Sequence, residues 1–255
     1  MEAIKQDSRD MKSEMTEQTA EKKKRDIVIP GETIVTGSEY LPGDCTARDG
    51  EDIVAIRFGL SDITDRFVKV IPLAGVYIPR KGNSIICKVT DITFNGWIMD
   101  INSPYMGFLQ VMECSKFVNK NDLTEYLDFG DMVVAEVYAI KHRGVDLTLR
   151  ARGLGKLEDG MIISINPNKV PRVIGREGSM INLIKHETGC NITVGQNGLV
   201  WIKGRTVESE LFAKEAIMLI VEKSFVDGLT EKVEEFLEKN RKKFGNSVKS
   251  EEKGK

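Results

Sequence analysis

Gly175 and Gly178 stand three positions apart inside Val173-Ile-Gly-Arg-Glu-Gly-Ser-Met-Ile181, and Thr188-Gly-Cys-Asn-Ile192 follows at the return to an extended run. The spacing predicts a loop at the start of a helix that begins near Ser179. Without side chains at the two glycines, a ligand backbone can approach the main chain closely, and the helix start offers free N–H groups and a positive dipole end to a phosphate. Lys169, Arg172 and Arg176 flank the loop, with Lys185 further along the helix, while Glu177 occupies a place where a second base would suit phosphate better. The same glycines would also serve a tight connection between two helices with no ligand. The flanking bases favour the phosphate reading.

The surroundings narrow the choice. A short strand over Met161 to Ile165, apolar Ile174, and a stripe of Met180, Ile181 and Ile184 precede an alternating run at Ile192 and Val194. An Asn197-Gly198 turn, a strand from Leu199 to Ile202 and a helix from about Thr206 to Lys223 complete the segment. This order resembles the KH domain, whose Gly-x-x-Gly loop holds about four nucleotides of a single strand. The resemblance implies RNA contacts at Lys169, Arg172, Gly175, Arg176, Glu177, Gly178 and Lys185.

The chain has 255 residues, 41% hydrophobic and 30% charged, with a formal net charge of −2. That is room for two or three small domains and argues against coating nucleic acid by bulk charge. Basic residues gather locally instead, at Lys141-His142-Arg143 and from Arg150 through Arg152 to Lys156. No apolar run is long enough to span a bilayer, and the charged segment from Met1 to Asp26 lacks the apolar stretch of a signal peptide, so a cytoplasmic location and no membrane partner are expected. Cys45, Cys87, Cys114 and Cys190 are far apart and only His142 and His186 accompany them, which predicts no metal site and no cofactor. Asp44 with Asp49 and Asp62 with Asp65 read as turn residues, so no catalytic set is expected.

The expected fold is multidomain, mainly β and then α+β. Residues 1–25 and 245–255 are read as tails, the first disordered or ordered by a partner. A small N-terminal β domain is expected over 26–78, with strands at Ile27 to Ile29, Thr33 to Val35, Ile53 to Ile56 and Phe67 to Ile71. At roughly 50 residues such a unit is marginal alone and leans on a neighbour. Residues 79–154 have the spacing of a five-stranded barrel: Ser84 to Thr90, Gly96 to Ile101, Met106 to Gln110, Asp131 to Ala139 and Gly144 to Arg150, with a short helix expected at Leu123 to Leu127. The KH-like region covers 157–223, and an amphipathic C-terminal helix over 224–244, with Leu229, Val233, Phe236 and Leu237 in helical spacing, is expected to dock back on it.

Lys88-Val-Thr-Asp-Ile92, Gly96-Trp-Ile-Met-Asp-Ile101, Gly107-Phe-Leu-Gln110 and Phe129-Gly-Asp131 resemble the S-one-type RNA-binding OB domain. Where such barrels present stacking aromatics and a histidine, this chain has Asn95, Ile98 and Gln110. Alternation sends Trp97, Met99 and Ile101 to the core face, while Phe94, Tyr105 and Phe108 stay open between stacking and packing. The barrel's RNA contacts are therefore expected to be ionic, through Lys88, Lys141, His142, Arg143 and Arg152.

With Val28-Ile-Pro-Gly-Glu32, Val70-Ile-Pro-Leu-Ala-Gly75, Tyr77-Ile-Pro79 and Gly153-Leu-Gly-Lys156 at the junctions, the whole from Ile27 to Phe244 resembles the RNA-binding cap subunits of the archaeal exosome, the family of ribosomal-RNA-processing protein four. The resemblance implies a non-catalytic subunit, three copies of which sit on a hexameric RNase-PH-like ring and feed the 3′ end of single-stranded RNA inward. It also implies that the first domain holds the ring, at Pro30, Gly31 and Glu32. The other reading is a stand-alone transcription or translation factor with OB and KH modules.

Overall fold

The computed structural model describes residues 25–119, 122–224 and 228–251. The tail expected at 1–25 lies outside them except for Arg25. The chain forms two compact units, divided after Leu73.

Among the described residues of the first unit, seven short strands make two sheets. β1 (Ile27–Val28), β6 (Gly59–Thr64), β7 (Phe67–Pro72) and β3 (Leu41–Pro42) lie side by side in one, and β2 (Thr33–Thr36), β5 (Asp52–Ala55) and β4 (Thr46–Asp49) in the other. β7 alternates cleanly, with Val68 and Val70 buried and Phe67 and Lys69 exposed. β3, β4 and β6 carry no apolar alternation in sequence; pairing with β7 and β5 makes them strands. The core is thin: Val28, Ala55 and Val70 with Ile34 and Cys45 against them, and the fully buried Ile53 and Val68, while Ile27, Ile29, Ile56 and Phe67 stay more than half exposed.

Asp62 on β6 is 7% exposed and faces Lys69 across the strand pair at 3.2 Å, with the Arg25 guanidinium at 3.4 Å. Burial pushes its carboxyl up, but the Lys69 hydrogen bond and the Arg25 charge outweigh it and hold the group below its ordinary 3.8. A carboxyl depressed in the folded state stabilises the unit fully above the unfolded value, and that stability is lost as pH falls through the folded value. Protection of the β6 and β7 amides, their exchange measured relative to the intrinsic rate, should therefore hold above about pH 5 and fall as the pH drops below about 4, and Asp62→Asn should flatten that dependence. An unchanged pH profile in the variant would show that Asp62 is not the group responsible.

In the second unit, β8 (Ser84–Thr93), β9 (Gly96–Asp100), β10 (Met106–Gln110), β11 (Met132–Lys141) and β12 (Gly144–Thr148) close a five-stranded barrel. Neighbours are antiparallel except β10 and β12, and β11 closes on β8. Trp97, Met99 and Ile101 are fully buried, as alternation predicts, and Trp97 Nε1 donates to Leu127 O at 2.9 Å. The short helix expected at Leu123 to Leu127 is a single turn, in which the N–H groups of Tyr126 and Leu127 both reach Leu123 O. One turn suffices because Leu123 and Leu127 need only plug the barrel end beneath Trp97. β13 (Gly155–Leu157), in the stretch read as a junction, pairs with β11 and extends the barrel sheet.

The remainder folds as strand, helices and sheet. β14 (Met161–Ser164), β16 (Leu199–Lys203) and β15 (Asn191–Val194) form an antiparallel sheet in that order. α1 (Val170–Ile174), α2 (Ser179–Thr188) and α3 (Val207–Glu222) pack on one face, around Val173, Ile184, Ile202, Ala216 and Ile217. Thr206 caps α3 reciprocally with Ser209. α4 (Leu229–Glu251) docks through Leu229, Val233 and Leu237, with the Phe236 ring 6.1 Å from that of Phe212. It runs beyond residue 244, where the tail was expected, because a lone Gly245 costs a helix only about 1 kcal/mol and no proline follows. No helix among the described residues is long and apolar enough to cross a membrane.

Candidate nucleic-acid interface

The loop between α1 and α2 is built on left-handed backbone. Gly175 has φ 76 and ψ 177, Glu177 φ 52 and ψ 26, and Gly178 φ 79 and ψ 10. The two glycines differ in what they tolerate. A Cβ at Gly175 would lie 2.7 Å from Met180 Cβ and 2.8 Å from Met180 N, whereas at Gly178 the nearest atom is Asn182 Nδ2 at 3.5 Å. Gly175 is thus needed by the fold, and Gly178 leaves the space above the loop open. α2 starts at Ser179 with no side-chain cap, and the preceding turn takes up two of the donors here, Gly178 N donating to Gly175 O at 3.3 Å and Ser179 N to Arg176 O, so the N–H groups that follow are those left for a ligand.

Arg172, Arg176 and Glu177 are exposed around this loop. Lys185 is half-buried in the last turn of α2, about 9 Å along the axis from Ser179. Lys169 is engaged elsewhere: its ammonium donates to Val221 O at 2.7 Å, near the end of α3. The loop therefore gathers Gly175, Arg176, Glu177, Gly178 and Arg172, and leaves Lys169 as a tie between α3 and the segment before α1.

The barrel residues are dispersed. Lys88 is exposed on β8 opposite Asp100 and Met132. Lys141 ends β11 with its ammonium 2.5 Å from the Asp146 carboxylate, and His142 and Arg143 form the exposed turn into β12. Arg152 lies in the exposed turn between β12 and β13, away from that hairpin turn. Pro30, Gly31 and Glu32 lie in the first unit, where Gly31 N donates to Ala55 O and the Glu32 carboxylate accepts from Ile29 N at 2.9 Å. No cluster of three or more His, Cys, Asp or Glu side chains suited to a metal occurs among the described residues.

One position that ties the modules together escapes sequence reading. Asn197, seen as half of an Asn-Gly turn, is 0% exposed and joins the three-helix module to the barrel. Its Nδ2 donates to Ile86 O at 2.6 Å and Ile101 O at 2.9 Å, and its Oδ1 accepts from Ile86 N at 3.3 Å. Asn102 Nδ2 donates to Asn197 O at 3.0 Å, and Gln196 N to Ser84 O at 2.9 Å. Gly195 permits the approach, since a Cβ there would lie 2.8 Å from Ile86 N. The glycine loop and the barrel are thereby held in one fixed relation.

A glycine loop between two helices on a three-stranded antiparallel sheet, fastened to a closed five-stranded barrel, defines a KH-domain protein with an OB-type module, and the KH domain family matches residues 160–219. The chain belongs to the Rrp4 family of exosome complex components. It is 40% identical to Exosome complex component Rrp4 of Methanothermobacter thermautotrophicus, covering 84% of this chain and 68% of the relative. The same component of Methanothermus fervidus is 42% identical over 84% of this chain and 96% of its own length. A crystal structure of a protein assigned as an exosome complex RNA-binding protein matches with a TM-score of 0.60 and 34% identity, over 66% of this chain and 98% of that one.

Proposed function

We propose that this chain is a cytoplasmic, non-catalytic cap of an exosome that binds single-stranded RNA and guides its 3′ end into a phosphorolytic RNase-PH-like ring, with three copies on each hexameric ring. The observation that carries the reading is the open glycine loop at the start of α2, flanked by Arg172 and Arg176, in a chain of the Rrp4 family. Phosphates would sit over Gly178 and the first-turn N–H groups, with the arginines neutralising charge. Pro30 to Glu32 and the exposed apolar strands of the first unit would meet the ring, since the thin core there leaves apolar surface for a partner. His142, Arg143, Lys88 and Arg152 would add ionic contacts from the barrel.

Gly178→Asp tests the loop, because it places a carboxylate where phosphate would lie, at a site with space for it. Affinity for single-stranded RNA should fall on the order of tenfold, while stability drops only by the cost of a left-handed aspartate at φ 79, about 1 kcal/mol. Unchanged affinity would make the KH module a scaffold only. Mixed with ring subunits, the chain should join the complex and raise its processivity, while the chain alone should leave labelled RNA intact in phosphate and magnesium. Shortening of RNA by the pure chain would refute the non-catalytic reading.

A further inference from the structure

The loop between α1 and α2 holds one side chain that phosphate binding leaves unexplained. Glu177 lies between Arg176 and Gly178, exposed, at φ 52 and ψ 26. A side chain is strained in that left-handed region, where glycine sits freely and asparagine is accepted more readily. The fold therefore gains nothing from a glutamate here. Its charge is not neutralised either: among the described residues the carboxylate meets no cation and no hydrogen-bond donor, although Arg172 and Arg176 stand on the same loop. Carboxylates elsewhere do find cations, Asp62 with Lys69, Glu113 with Arg150, Asp131 with Lys156 and Asp146 with Lys141.

A bare carboxylate in this place repels the phosphates that Gly178 and the arginines would receive, and nothing in the protein offsets that repulsion. A donor on the ligand can. A carboxylate only accepts hydrogen bonds, and a bond to it is roughly twice as strong as one between neutral groups. A nucleic-acid backbone carries one such donor close to each phosphate, the ribose 2′-hydroxyl, and DNA lacks it. With Gly178 as the next residue and its upper side open, a phosphate bound there brings its ribose beside the glutamate. For RNA the hydrogen bond offsets the repulsion, and for DNA the repulsion stands alone. One side chain then supplies both the attractive and the repulsive element that discrimination needs.

We propose that Glu177 selects RNA over DNA at the glycine loop, accepting a hydrogen bond from a ribose 2′-hydroxyl and repelling a strand that has no such donor. It rests on the RNA-binding reading above and adds to it a sugar specificity. Arg172 and Arg176 cannot supply that, because a phosphate contact is the same in either nucleic acid.

The full chain is titrated, by fluorescence anisotropy, into labelled oligouridylate and oligodeoxyuridylate of one length, which differ only at the 2′ position and carry no base amino group. The natural chain should prefer the ribose strand about tenfold. Glu177→Ala should cut that preference to about twofold, mainly by binding the deoxy strand more tightly, and Glu177→Gly, which also relieves the backbone strain, should repeat the result. Glu177→Gln, an uncharged acceptor, should fall between. Arg176→Gln should weaken both strands alike. No ribose preference in the natural chain, an unchanged one in Glu177→Ala, or an equal gain on both strands would overturn the selector while leaving RNA binding itself standing. An equal loss of oligoadenylate and oligodeoxyadenylate in Glu177→Ala, with the uridylate preference intact, would assign the carboxylate to a base amino group and overturn the proposal as well. A natural chain that binds neither strand would remove both readings.

Discussion

Asn197→Leu is expected to lower the stability of the second unit by about 5 kcal/mol and to split its unfolding into two transitions. The substitution keeps the branched shape, adds bulk and removes every polar atom, so Ile86 N, Ile86 O and Ile101 O lose the partner that the buried amide supplies. Each buried backbone group left unmet costs about 1–3 kcal/mol, and the larger apolar side chain gives water no room to substitute. Urea unfolding followed by the fluorescence of Trp97 in the barrel and Trp201 in the KH sheet separates the modules, one reporter in each. Coincident transitions with an unchanged midpoint would show that Asn102 and Gln196 hold the junction without Asn197. Asn197→Asp should also destabilise, because a carboxylate can accept from Ile86 N and cannot donate to the two carbonyls.

Trp97→Ala is expected to cost about 3–5 kcal/mol, the range for deleting a large aromatic side chain from a packed core. Trp97 is 0% exposed, its ring centroid lies 5.7 Å from that of Tyr126, and its Nε1–H is the donor to Leu127 O. Removal leaves a cavity and an unmet carbonyl together. The effect should read out as lost stability, and at temperatures where the variant stays folded its RNA affinity should match that of the natural chain. A stable variant with weakened RNA binding would place the indole on the RNA face, against the alternation of β9.

Burial also separates the cysteines from chemistry. Cys87 is 0% exposed, and burial drives its thiol well above its ordinary value, while burial pushes Cys114 to about 11. Both stay protonated near neutral pH and pack as small apolar groups, in keeping with their scatter along the chain.

The parts legible in sequence are those whose cause is local. Left-handed positions call for glycine, so Gly175 and Gly178 marked the loop. Period-two alternation marked β9 with Trp97, Met99 and Ile101 inward, and helical spacing of Leu229, Val233 and Leu237 marked the docked face of α4. The order of elements carried the KH and barrel architectures, because each element's pattern is set by its own residues. β3, β4 and β6 of the first unit were hidden, since their strand character comes from pairing with β5 and β7 and from no pattern of their own.

Charge and turn residues were read by type alone, and tertiary structure decided what each does. Lys169 and Lys141 have the composition of phosphate ligands, yet one meets Val221 O and the other Asp146, because a long side chain pairs with whatever the fold brings within reach. Phe94 and Tyr105 stood open between stacking and packing by sequence, and only the closure of the barrel left them exposed. An Asn-Gly pair signals a turn from backbone preference alone. That Asn197 is buried against the barrel depends on two modules meeting across about one hundred residues of chain, a long-range contact that no local pattern encodes.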